Sequence, residues 1–195
     1  MKKVVKRAAV AKVLVLRTCA ADMTSYGGFQ WPEKGRVEAA DWAPAAECGK
    51  GLHGWLWGEG DHSAASWEPG RKWLVVEVLA KDVVNLRGKV KFSEGVVVHC
   101  GDQESATSYL AAKAPGRGII GGTSTSGYGG TSTSGYGGKS TSGADGKSTS
   151  GADGIIQFEW WDGARKRVRT YYVGEGGIEP NVAYKLDADH EPVKA

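Results

Sequence analysis

Residues 123–130 read Thr123-Ser124-Thr125-Ser126-Gly127-Tyr128-Gly129-Gly130, and residues 131–138 repeat them without change. Lys139-Ser140-Thr141-Ser142-Gly143-Ala144-Asp145-Gly146 follows, with its own identical copy over 147–154. Nothing breaks the period of eight. The first half of each octapeptide alternates Ser with Thr or Lys, and the second half is rich in glycine. Alternation sends neighbouring side chains to opposite faces of an extended chain, and glycine permits a tight corner after it. Eight residues are too few to circle a core, but two octapeptides make one coil with two short sides. Residue i then stacks on i+16: Thr123 on Lys139, Thr125 on Thr141, Thr131 on Lys147 and Thr133 on Thr149. Composition alone also fits a flexible Gly/Ser linker. The unbroken period, the β-branched Thr at a fixed place, and the Ile119-Ile120 and Ile155-Ile156 pairs at the two ends favour an ordered β-solenoid of two coils. Its binding face would carry the hydroxyls of Thr123, Thr125, Thr131, Thr133, Thr141 and Thr149.

Working outward, Val13–Leu16, Arg36–Glu38, Trp73–Leu79, Val83–Leu86, Val90–Phe92 and Val96–His99 read as strands, separated by Gly-containing turns. Residues 39–70 are rich in Trp, Gly and Ala without clean periodicity. Asp102 opens one helix as its N-cap, and Pro115-Gly116 stops it. After the repeats, Ile155–Trp161 and Val168–Val173 predict a hairpin around Asp162-Gly163. Asn181–Leu186 predicts a last strand, with a loose polar tail from Asp187. The expected class is α+β: a small, mostly antiparallel β domain with one helix, carrying an inserted short β-solenoid. Residues 1–120 form the first part of the globular domain and residues 121–154 the repeat module. Residues 155–195 form a β-rich segment that completes the globular domain.

The chain has 195 residues, 41% of them hydrophobic, enough for a real core. A net charge of +3 does not argue for a nucleic-acid partner. Three cysteines, Cys19, Cys48 and Cys100, are too few for a disulfide scaffold and suggest reduced thiols, with a single Cys48–Cys100 bridge as the alternative. Lys6, Arg7, Lys12 and Arg17 interrupt every apolar run near the start, so no export signal is expected there, nor a membrane span or membrane partner. The expected location is the cytoplasm. Cys48 with His53 and His62, His99 or Cys100 could form a metal half-site, but no Cys-x-x-Cys spacing supports it. A structural loop around Gly49 and Gly51 is the better reading. No metal or cofactor is expected. Six tryptophans within residues 31–73 read as core rather than as a binding surface.

Ser126-Gly127-Tyr128-Gly129-Gly130-Thr131-Ser132-Thr133 resembles the octapeptide of bacterial ice nucleation proteins, Ala-Gly-Tyr-Gly-Ser-Thr-x-Thr. That resemblance implies a β-solenoid with Thr-x-Thr rows facing water and a Tyr row along one edge. Lys139 and Lys147 depart from it, as do Ala144 and Ala152 in place of tyrosine. The flanking segments Gly28-Phe29-Gln30-Trp31-Pro32, Cys48 to Gly54 and Trp160 to Gly163 resemble uncharacterised bacterial and phage-borne proteins with similar arrays. This likeness leaves association with a virion open and implies no activity.

Two functions follow as expectations. The first is a non-enzymatic structural or binding protein that displays a Thr/Ser-rich face, self-associates through open solenoid edges, or orders water and ice when assembled. The second is an enzyme of ADP-ribosyltransferase-like architecture with accessory repeats. Gly49-Lys50-Gly51-Leu52-His53 and the strand Leu74–Val78 resemble that group, which implies Arg17, His53 and Glu77 as the catalytic set. That is an analogy at the level of fold.

Overall fold

The computed structural model describes residues 11–61, 63 and 65–195. Strands β1 (Lys12–Cys19), β2 (Gly35–Glu38), β3 (Leu52–Leu56), β4 (Lys72–Leu79), β5 (Val84–Asn85), β6 (Val90–Phe92) and β7 (Glu94–Gly101) build one sheet. Its order is β2-β7-β4-β1-β3-β6-β5, with every neighbouring pair antiparallel. The apolar residues of β1 alternate because both faces of this sheet are covered. Val15 and Cys19 join Trp31, Leu74, Val76 and Phe92 on one side. Leu14 and Leu16 join Trp73, Val75, Leu110 and Ile120 on the other. Leu110 belongs to helix α1 (Gln103–Lys113), where the Asp102 carboxylate accepts the Ser105 N–H as expected of an N-cap.

The repeats supply β8 (Thr123–Thr125), β9 (Thr131–Thr133), β10 (Lys139–Ser142) and β11 (Lys147–Thr149). The chain beyond adds β12 (Ile155–Trp161), β13 (Lys166–Tyr172), β14 (Tyr184–Leu186) and β15 (Pro192–Lys194). These eight strands form two four-stranded sheets, β13-β12-β10-β8 and β15-β14-β11-β9. Parallel pairing joins Thr123 to Lys139, Thr125 to Thr141, Thr131 to Lys147 and Thr133 to Thr149, the offset of 16 that the period suggests.

Several expectations are corrected. Among the described residues the chain is mostly β with one α-helix, of 11 residues, its strands lie in three sheets, and none of them is a solenoid. Four octapeptides give each repeat sheet only two strands. The other two come from residues 155–195 and close it with antiparallel pairs, β12 with β13 and β14 with β15. The strands after the repeats therefore pair with the repeats and not with the seven-stranded sheet. Their own core is Ile156, Phe158, Val173, Ile178 and Tyr184. The tail is not loose, since Pro192–Lys194 pairs with β14. β3 crosses the stretch that lacks sequence periodicity. Its Gly54 lies so close to Leu16 of β1 that an added Cβ would collide with that residue's carbonyl. Trp31, Trp55 and Trp73 are core, whereas Trp67 and Trp161 are exposed. All three cysteines are free, so the alternative Cys48–Cys100 bridge is not formed. The reading of residues 1–10 as lacking an export signal lies outside the described residues. Among the described residues, no helix is long and apolar enough to cross a membrane.

Candidate functional site

Two features are built well enough to act on something: the outer face of the first repeat sheet and a cleft beside the seven-stranded sheet. In the repeats, serine turns inward. Ser132, Ser140, Ser142 and Ser148 are wholly out of solvent. Apolar packing is scarce in so thin an interior, and hydroxyl pairing replaces it. Ser140 Oγ donates to the Thr149 carbonyl at 2.6 Å, and Ser134 and Ser150 bond each other at 2.9 Å. Most buried hydroxyls are paired in this way, but Ser126 Oγ is buried without a partner. At the corners, Gly129, Gly137, Asp145 and Asp153 all take positive φ. Asp is one of the few residues with a side chain that accepts that conformation. The Tyr128 and Tyr136 hydroxyls bond Asp145 and Asp153, which raises the pKa of both phenols.

All the repeat threonines but Thr141 reach the surface, though not on one face. Thr123, Thr125 and Thr141 lie on the β13-β12-β10-β8 sheet, and Thr131, Thr133 and Thr149 on the other. Thr123, Thr125 and Thr131 are exposed, Thr133 and Thr149 are half-buried, and Thr141 is 6% exposed. On the first sheet the row does not stop at the repeats. Thr125 pairs with Thr141, Thr141 with Gln157 and Gln157 with Thr170, across four adjacent strands. Thr141 Oγ1 donates to Gln157 Oε1 at 3.3 Å, and Gln157 Nε2 donates to Thr170 Oγ1 at 2.8 Å. Sequence reading missed Gln157 and Thr170. Counting 16 onward from Thr141 would have found Gln157. No signal in the chain marks Thr170, which arrives antiparallel.

The cleft of about 750 Å³ is lined by Arg17, Phe29, Trp31, Cys48, Lys50 and His53, among others. Arg17 Nη1 donates to the His53 carbonyl at 3.2 Å, and its guanidinium lies 5.6 Å from the Trp31 ring centre. Burial lowers the Arg17 pKa. His53 is held below its usual pKa, first by burial and then by Lys89 and Arg17. Lys89 Nζ donates to Cys48 Sγ at 3.1 Å and pulls the Cys48 pKa down. Of the three residues implied by the transferase likeness, the structure brings only Arg17 and His53 together. Glu77 pairs across the ladder with Leu14, on the helix-covered face opposite Arg17, and its carboxylate accepts from Lys12 Nζ at 2.6 Å. Among the described residues, no group of three or more His, Cys, Asp or Glu could hold a metal. His99 stacks on Tyr109 and bonds Ser105, and Cys100 lies against Met23. His62 is outside the described residues.

Comparison with known proteins adds two likenesses. A domain of unknown function (DUF7666) matches residues 13–108, which cover the seven-stranded sheet and the start of α1. Half of the chain resembles ice nucleation proteins. An ice nucleation protein of Pseudomonas fluorescens is 43% identical over 102 residues, 51% of this chain and 8% of that protein. One of Pseudomonas syringae is 40% identical over 104 residues, 52% of this chain and 9% of the relative. One of Pantoea ananas is 39% identical over 101 residues, 51% and 10% respectively. The matched stretch is thus about a tenth or less of each relative's length. It is also longer than the repeat tract of residues 123–154, so the octapeptides alone do not account for the likeness. No solved structure matches the chain.

Proposed function

We propose that this protein is non-enzymatic and orders water at an ice surface through the outer face of its β13-β12-β10-β8 sheet. The observation that carries the reading is the row Thr125-Thr141-Gln157-Thr170, in a chain half of which resembles proteins named ice nucleation proteins. Strands in a sheet lie about 4.8 Å apart, so a row on four strands spans about 14 Å. Hydrogen bonds from Thr141 to Gln157 and from Gln157 to Thr170 hold the row still, and it meets water at Thr125, Gln157 and Thr170 while Thr141, 6% exposed, anchors it from beneath.

A row of that width is small for holding an ice embryo on its own. Activity then requires copies to associate and extend the face. β8 and β13 are the outer strands of this sheet, and unpaired strand edges favour such association. The test measures droplet freezing temperature against protein concentration, with light scattering on the same samples. Freezing is expected to rise above buffer only where scattering shows assemblies. Strong nucleation by a monomeric sample would overturn the assembly requirement. Assemblies that freeze like buffer would overturn the ice reading.

A further inference from the structure

We propose that the cleft beside β1 and β3 binds a small phosphate-bearing molecule with a planar ring, of mononucleotide size. Its volume of about 750 Å³ falls in the range of ligand pockets, roughly 300–1,000 Å³. The charge on its walls is unbalanced. Arg17, Lys50 and Lys89 line it against the carboxylate of Asp41, and that carboxylate already accepts the Gly51 N–H at 3.0 Å. Arg17 has no carboxylate partner among the described residues. The contacts it makes are the His53 carbonyl and the Trp31 ring, and its Nε is buried without an acceptor. Lys91, the ladder partner of His53, is 1% exposed and is likewise held by a carbonyl, that of Glu47, and by the Trp42 ring. A cation withdrawn from water without a counter-ion is costly. A phosphate monoester, at a charge of about −2, supplies one.

The groups facing this field respond to it. Lys89 draws Cys48 toward its thiolate by direct hydrogen bonding, and burial, followed by Lys89 and Arg17, opposes protonation of His53. The walls leave room for a ligand. Gly27, Gly28 and Gly49 line the cleft, and a Cβ built on any of them would meet nothing within 4 Å. Phe29 and Trp31 pack edge to face at 5.4 Å in the wall, and Tyr26 stands 99% exposed in the same loop. Trp31 itself is 2% exposed, so a planar ring stacked there would cover the open surface of Tyr26 and the half-buried Phe29.

The test is calorimetric titration of the full chain with AMP, adenosine and inorganic pyrophosphate. AMP is expected to bind more tightly than either of the others, and to weaken with added salt. Lys89→Gln and Arg17→Gln should each lower AMP affinity about tenfold or more, since each removes one charge-assisted contact to phosphate. Arg17 is packed into the sheet, so Lys89→Gln at the rim is the variant that keeps the test independent of folding. In the unaltered protein, AMP should slow alkylation of Cys48 by iodoacetamide several-fold, and adenosine should not. Pyrophosphate binding as tightly as AMP would overturn the ring half of the proposal. No AMP binding at millimolar concentration, or AMP affinity unchanged in folded Lys89→Gln, would overturn all of it.

Discussion

Gly143 and Gly151 occupy the same place in their octapeptides as Gly127, but not the same surroundings. A Cβ on Gly151 would stand 2.5 Å from the Tyr136 amide nitrogen and 2.7 Å from the Gly135 carbonyl carbon. One on Gly127 would meet nothing within 4 Å, because no earlier octapeptide lies over it. The obstacles at Gly151 are backbone atoms, which cannot swing aside as a side chain can. Gly151→Ala should therefore cost about 1–3 kcal/mol, the usual range for overpacking. Gly127→Ala should be neutral or stabilise by about 0.4–1 kcal/mol, through reduced freedom of the unfolded chain. Hydrogen exchange localises the effect. The Gly137 amide donates to the Ala152 carbonyl at 2.9 Å and the Gly151 amide to the Gly135 carbonyl at 3.2 Å. Both bonds cross the layers that a Cβ would force apart. In Gly151→Ala these amides should exchange about 5- to 150-fold faster, the factor corresponding to that cost. Equal exchange and equal urea midpoints in the two variants would refute the stacking of one octapeptide on another.

Other outcomes follow from the same contacts. Replacing residues 123–154 by a short Gly/Ser loop should leave the seven-stranded sheet protected from exchange, because its two cores draw on no residue after Ile120. The same replacement should expose the amides of β12 and β14, which lose their parallel and antiparallel partners. Iodoacetamide at pH 8 should label Cys48 first and Cys19 last. Lys89 lowers the pKa of Cys48, whereas burial pushes Cys19 up to about 11, so Cys19 remains a neutral thiol. Asp162 accepts the Arg165 and Ala164 amides, which holds its pKa down to about 2. A depressed carboxyl stabilises the folded turn above its unfolded pKa of about 4 and loses that contribution as pH falls toward 2. The Arg165 amide shift, followed by NMR, should therefore hold steady to about pH 4 and move below it.

Where hydrophobic runs and turn residues lie together, the sequence was legible. Trp73–Leu79 and Val90–Phe92 became β4 and β6, and Asp102 capped the helix. The offset of 16 between stacked repeats could be read because identical octapeptides constrain it. What could not be read was decided by contacts distant in sequence. β3 carries Gly54 and His53 where a strand pattern would call for apolar residues, since Gly54 is required by the approach of Leu16 and His53 borders the cleft. Residues 155–195 could pair with the first sheet or with the repeats, and no local signal chooses between them. The candidate face was half legible for the same reason. Thr125 and Thr141 stand in the period, whereas Gln157 and Thr170 join the row only through register. The set Arg17, His53 and Glu77 failed on parity, because Glu77 lies an odd number of ladder steps from Leu74, the partner of Arg17, and so faces the other side.

The row Thr125-Thr141-Gln157-Thr170 is proposed to meet ice. Droplet freezing tests it most directly, comparing the unaltered chain with a variant carrying Thr123→Lys, Thr125→Lys and Thr170→Lys. These positions are exposed on the outer face, so the fold should persist, as circular dichroism and equal light scattering would verify. Assembled unaltered protein should freeze droplets above buffer, and the variant, equally assembled, should freeze them with buffer. A folded, assembled variant that nucleates as well as the unaltered chain would contradict it.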